Sequence, residues 1–185
     1  MPQTPPPLHP PPARKSSWNQ SQLFSSGSTE WSTPGWLMDS IHAEFVLQLD
    51  ACSTEQNAQC EHHISPDQDT LATEWVDCMP PDQSSHAVWM NPPWGRNIGR
   101  FVERAYKQSQ KHRLIVVCLL PACTDTRWWR DWVWKANEVR LVTGRLKFVR
   151  DDGHTGPATK GCAVVVFTPW GEGPPRVSLM ERNRP

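Results

Sequence analysis

Basic residues are missing from most of the first half of this chain. From Ser16 to Gly95 there is no Lys or Arg, although the 185-residue protein carries 19 of them against 19 Asp and Glu, a formal net charge of zero. There is a single Tyr. No apolar run reaches the roughly 18 residues of a membrane helix, and the chain begins proline-rich rather than basic and then apolar, so neither a membrane span nor a secretory signal is expected. The six cysteines (52, 60, 78, 118, 123 and 162) form no C-x-x-C pair. Cys118 and Cys162 lie inside apolar runs, which suits free thiols acting as small hydrophobes and argues against a disulfide framework. Cys60, His62, His63 and Cys78, with Cys52, match no structural-zinc spacing, and no metal is expected. What these absences leave is a soluble, cytoplasmic protein with one domain's worth of core.

What is present is a segregation of charge. The stretch from Ser16 to Gly95 holds eleven acidic residues, whereas residues 96–150 hold thirteen basic residues and four acidic ones. Such blocks arise by chance on solvated helices, and they also arise where one part of a molecule faces polyphosphate and another does not.

Seven of the 19 prolines precede Ala13, and a Ser/Gln/Gly-rich stretch follows them. Residues 1–30 are therefore expected to be a disordered tail, residues 31–170 a folded domain, and residues 171–185, which open with Gly171-Glu172-Gly173-Pro174-Pro175, a flexible tail. Within the domain, Thr33 as N-cap with Pro34 at N1 predicts a helix to about Ala43. Strands are expected at 46–50, 87–90, 114–120, 138–142, 145–149 and 162–168. Ile98, Phe101, Val102 and Ala105 have the spacing of one helix face. Residues 126–136 read as a Trp-dense helix whose tryptophans are mostly core. Strands alternating with helices imply an α/β fold with a mostly parallel sheet and an antiparallel pair near the C-terminus. Asp50 and the loop after residue 90 should then share the carboxyl rim, where such sheets collect ligands.

That loop reads Asn91-Pro92-Pro93-Trp94. Methylation of an exocyclic amine needs two acceptors for the NH₂ protons, because the nitrogen lone pair is delocalised into the ring until the nitrogen is biased toward sp³. The Asn91 side-chain oxygen and the Pro92 carbonyl can each accept one N–H, the prolines stiffen the backbone, and Trp94 offers a face for stacking. The same four residues also make an ordinary turn with a Trp packed on it.

The tetrapeptide has company. Trp31-Ser32-Thr33-Pro34-Gly35-Trp36-Leu37, Glu44-Phe45 then Leu49-Asp50-Ala51-Cys52, Asp69-Thr70-Leu71 with Trp75, Asn91-Pro92-Pro93-Trp94, Leu119-Leu120-Pro121-Ala122 with Thr124-Asp125-Thr126, and Gly144-Arg145-Leu146-Lys147-Phe148 occur in this order. Across residues 31–168 the chain resembles the phage-type (Dam-like) DNA N6-adenine methyltransferases. The resemblance implies a compact class I, Rossmann-like methyltransferase that uses S-adenosylmethionine and acts on double-stranded DNA as a cytoplasmic monomer. It places Trp31, Thr33, Pro34, Asp50, Ala51, Asp69 and Leu71 at the cofactor, and Asn91, Pro92, Pro93 and Trp94 at the target amine. Two departures stand out. The glycine-rich loop that many methyltransferases carry after the first strand is replaced by Ala51-Cys52-Ser53, and Trp94 stands where Tyr is usual. The second leaves an RNA adenine or cytosine-N4 substrate open, and the first a non-catalytic DNA-binding relative.

Among the basic residues, Arg96, Arg127, Arg130, Arg145 and Lys147 are the candidates for DNA. Arg145 and Lys147 alternate with apolar Leu146 and Phe148 and so face away from the core, toward phosphate or only toward solvent.

Overall fold

The structure is a computed structural model that describes residues 31–81, 87–150, 155–171 and 173–182. The expected N-terminal tail therefore lies outside the described residues.

The strands are β1 (Trp31–Ser32), β2 (Leu47–Asp50), β3 (His62–His63), β4 (Ala87–Met90), β5 (Ile115–Pro121), β6 (Glu138–Val142), β7 (Lys147–Arg150), β8 (Thr155–Pro157), β9 (Cys162–Phe167) and β10 (Arg176–Met180). The helices are α1 (Gly35–His42), α2 (Ile98–His112) and α3 (Arg127–Asp131). Seven strands form the main sheet in the order β10-β6-β9-β5-β4-β2-β3. Only β9 runs against its neighbours, pairing antiparallel with both β5 and β6, while the remaining pairs are parallel. A second, three-stranded antiparallel sheet has the order β1-β7-β8.

β5 explains the layering. Its apolar run alternates between two cores: Val116, Cys118 and Leu120 face α2 and α3, packing with Phe101, Val102, Ala105 and Trp129. Val117 and Leu119 face α1, packing with Leu37, Met38 and Ile41. A strand buried on both faces needs no polar alternation, which is why this segment reads as a continuous apolar run. α2 lies close to α3 because Gly99 has no side chain: a Cβ there would meet the Trp128 Cβ at 2.9 Å.

Four expectations are corrected. Thr33 does not cap α1; Pro34, extended at ψ 138°, is the N-cap residue, and the helix starts at Gly35. The Trp-dense segment is not one helix, because α3 ends at Asp131 and a 3-10 turn, Val133–Lys135, follows. There Trp129 is buried, Trp128 and Trp132 are half-buried, and Trp134 is 53% exposed. The strand expected at 145–149 starts at Lys147 and belongs to the small sheet. Beyond Trp170, where a flexible tail was expected, Arg176–Met180 becomes β10 and extends the main sheet by pairing with β6. The prolines before Arg176 misled the reading, since they end one element without preventing the next.

Candidate functional site

From β2 the chain moves outward to β3 and then returns to the other side of β2 as β4. Such a reversal opens a crevice between the carboxyl ends of the two flanking strands, a place where α/β sheets take ligands. Asp50 ends β2 and Asn91 follows β4, so both reach this crevice.

Asp50 is 2% exposed. Its Oδ1 accepts the Cys52 N–H at 3.1 Å and its Oδ2 the Gln59 N–H at 3.1 Å. Burial outweighs these bonds and lifts the carboxyl to about 6. The Ala51 N–H donates to the Trp89 carbonyl at 2.8 Å, tying the loop back to β4. The buried side chains of Ser53 and Thr70 lie against Asp50 and Cys52, and the Ser53 hydroxyl also favours the Asp50 charge. Cys52 lies among Thr70, Asp50 and Asp69, and its thiol is pushed up by burial and then by the Asp50 charge. Asp69 is left-handed (φ 53°), with its Oδ1 accepting the Leu71 N–H at 3.1 Å. Leu71 packs half-buried on the core. Asp50 is thus a buried carboxylate within a stretch that holds no basic residue, a setting suited to a hydroxyl-bearing, positively charged small molecule.

On the opposite side, Asn91 Nδ2 donates to Thr33 Oγ1 at 3.4 Å. That contact leaves Asn91 Oδ1 as an acceptor for something else. No backbone N–H among the described residues donates to the Pro92 carbonyl. Trp94 packs against both cores and stands edge-on to Phe148, with centroids 5.5 Å apart and planes at 83°. Its indole N–H is buried without a partner among the described residues. Thr33 and Pro34 are buried at the start of α1, and the backbone of Trp31 pairs with Arg150 of β7.

A family model described as DNA N-6-adenine-methyltransferase (Dam) matches residues 20–185. The chain belongs to this family. It is 32% identical over 157 residues to the DNA N-6-adenine-methyltransferase of Haemophilus phage HP1, covering 81% of this chain and 84% of that one. It is also 29% identical over 147 residues to the DNA N-6-adenine-methyltransferase of Escherichia phage T1, covering 71% of this chain and 57% of the relative. The mixed α/β architecture with a mostly parallel central sheet fits a methyltransferase.

Within this family member the basic residues are less uniform than the sequence implied. Arg104, Lys111 and His112 all converge on Glu74, at 3.3, 3.2 and 2.6 Å, and Gln108 joins them at 3.0 Å. These contacts, led by the Gln108 hydrogen bond, hold the Glu74 carboxyl down at about 2. Arg140 is held by Glu44 and Glu138, and Lys107 by Glu103. Arg104, Lys111 and Arg140 thus fasten the basic stretch to the acidic one, which corrects the picture of two separate faces.

The candidates fare differently. Arg96, Arg127 and Lys147 are exposed, whereas Arg130 is paired with Asp131 at 2.7 Å and Arg145 donates to the Ala158 carbonyl at 3.4 Å. Arg96 sits on the loop leaving the carboxyl end of β4, and Arg127 opens α3 after the carboxyl end of β5. Lys160 was missed. It lies in the loop entering antiparallel β9, at the same rim, with Nζ 3.2 Å from Cys123 Sγ. Its only sequence signal was the adjacent Gly161, because it falls outside the basic stretch. Phe148 was legible as apolar, but its contact with Trp94 was not.

No helix among the described residues is long and apolar enough to cross a membrane. No three His, Cys, Asp or Glu among them are grouped to hold a metal ion.

Proposed function

We propose that this protein transfers a methyl group from S-adenosylmethionine to the N6 amine of adenine in double-stranded DNA, acting in the cytoplasm of a bacterial or phage-infected cell. One juxtaposition carries the reading: the Asn91 side chain and the Pro92 carbonyl, to which no backbone N–H among the described residues donates, lie one strand away from buried Asp50, across the crevice where the strand order reverses. The parallel strands, the reversal and the antiparallel β9 support a class I, Rossmann-like assignment.

S-adenosylmethionine, when bound, supplies an electrophilic methyl group on a cationic sulfonium. Asp50, Ala51, Asp69 and Leu71 would hold its nucleoside part, with Asp69 accepting from the adenine amine. Trp31, Thr33 and Pro34 would lie toward its methionine end, where the unsatisfied N–H groups opening α1 suit a carboxylate.

The target adenine leaves the duplex stack and rests against Trp94, whose stacking is worth about 1–3 kcal/mol per base. Asn91 Oδ1 and the Pro92 carbonyl accept its two N6 protons and localise the nitrogen lone pair. Pro93 keeps that carbonyl aimed. After transfer the nitrogen loses its proton to solvent, so the chain supplies no base. Arg96, Arg127 and Lys147, with Arg130 and Arg145, contact the DNA backbone.

Incubation with tritium-labelled S-adenosylmethionine and duplex DNA, then digestion to nucleosides, tests this reading. Label should appear on adenine N6 and disappear with Asn91→Ala. Label on cytosine, or on RNA in preference to duplex DNA, overturns it.

A further inference from the structure

The main sheet ends at β10, and nothing among the described residues pairs with its outer edge. β10 stands beside β6 with Val177 opposite Val139 and Leu179 opposite Leu141. Val139 is buried and Leu141 half-buried in the core under α2 and α3. Val177 and Leu179 continue that apolar row outward, yet they are 53% and 66% exposed. Natural edge strands are usually blunted by Lys, Pro or a bulge. Between Val177 and Met180 there is none of these, and Arg176 is engaged by Glu138 at 2.6 Å.

We propose that β10 is a dimerisation edge, at which two copies of this chain pair their 176–180 strands antiparallel about Ser178. The order of residues selects both the occupant and the register. Centred on Ser178, Val177 of each copy faces Leu179 of the other, so four apolar side chains close into one ridge continuous with both cores. Centred on Leu179, Arg176 faces Arg182 and Val177 faces Glu181. Centred on Val177, Leu179 faces Pro175, which has no N–H to donate, and the ladder shortens. Only the Ser178 register joins apolar to apolar without setting like charges together or losing a donor. The two-fold relation reverses strand direction, so the carboxyl rims open on opposite edges of the joined sheet and neither site blocks the other. This replaces the monomer expected from the sequence, and it does not depend on the proposed chemistry. A five-residue ladder lies at the small end of specific interfaces, so dissociation on the order of micromolar is expected.

The test combines sedimentation velocity of the full chain with site-directed cross-linking. Residues directly opposed across an antiparallel pair have Cα atoms roughly 4.5–5.5 Å apart, within disulfide reach. Ser178→Cys should therefore give a covalent dimer under oxidised glutathione. Val177→Cys should not, because its own copies lie on a diagonal of roughly 8 Å. Wild-type protein, with its six thiols, is oxidised alongside as the baseline. In sedimentation, the wild type should form a reversible dimer and Leu179→Pro, which removes an N–H that faces away from β6, a folded monomer. A wild type that stays monomeric, assemblies larger than a dimer, or Val177→Cys linking as readily as Ser178→Cys would each overturn the proposal.

Discussion

Trp94 meets Phe148 edge to face, at 5.5 Å and 83°, and so joins the Asn-Pro-Pro-Trp loop of the main sheet to the small three-stranded sheet. The other end of the loop is held from the same place: Asn91 donates to Thr33, which directly follows β1, and β1 is paired to β7, the strand that carries Phe148. The small sheet thus grips the loop at both ends.

The grip can be loosened at one end. Phe148→Leu keeps an apolar side chain in the core but removes the ring that meets Trp94, and is expected to cost about 1–1.5 kcal/mol of stability. Turnover should fall about tenfold, corresponding to about 1.4 kcal/mol in the barrier, with S-adenosylmethionine affinity unchanged. Denaturant titration and steady-state kinetics measure the two effects separately. An equal loss of cofactor binding would mean the residue acts on the fold as a whole.

At the other end, Thr33→Val removes the acceptor for Asn91 while preserving shape. A hydrogen bond of this kind contributes about 0.5–1.5 kcal/mol, so turnover should drop several-fold while the melting temperature barely moves. Thr33→Ser should retain most of the rate.

Asp50 makes a prediction about pH. Its carboxyl titrates near 6, above its ordinary 3.8, because burial penalises the charge. Between those two values the folded protein holds a proton that the unfolded chain has released, so stability of the ligand-free protein declines as pH rises through this window. Asp50→Asn should flatten that decline. Cofactor binding should run the other way, weakening as pH falls below about 6 and the carboxylate is lost. Thermal melts and calorimetric titrations across this range check both signs.

The basic residues separate into two groups. Lys147→Ala and Lys160→Ala should each weaken duplex binding and reduce the slope of log affinity against log salt by about 0.9 for each phosphate that the lysine neutralises. Lys111→Ala should leave that slope unchanged, because Lys111 is committed to Glu74. Glu74→Ala, which releases Arg104, Lys111 and His112 together, is expected to cost about 1–2 kcal/mol of stability. Fluorescence anisotropy at several salt concentrations reads the first effect and denaturant titration the second.

Local pattern was enough to reveal the two-faced strand β5, the amphipathic face of α2 and the stiff acceptor loop 91–94, because apolar spacing and proline chemistry act over a few residues. Asp50 and Asn91 were also expected at one rim, since strand ends in a parallel sheet share a direction. Partnerships formed across long stretches of chain were another matter. Glu74 collects cations from α2, Phe148 meets Trp94 at nearly a right angle, and Lys160 joins a rim far from it in sequence. Residues 176–180 form a strand only because β6 offers an open edge, which two neighbouring prolines could not announce. The sequence by itself determined the family, the charge blocks and the acceptor loop. Tertiary structure alone decided which charges remain for a partner, because burial and pairing depend on what folding brings within a few ångströms.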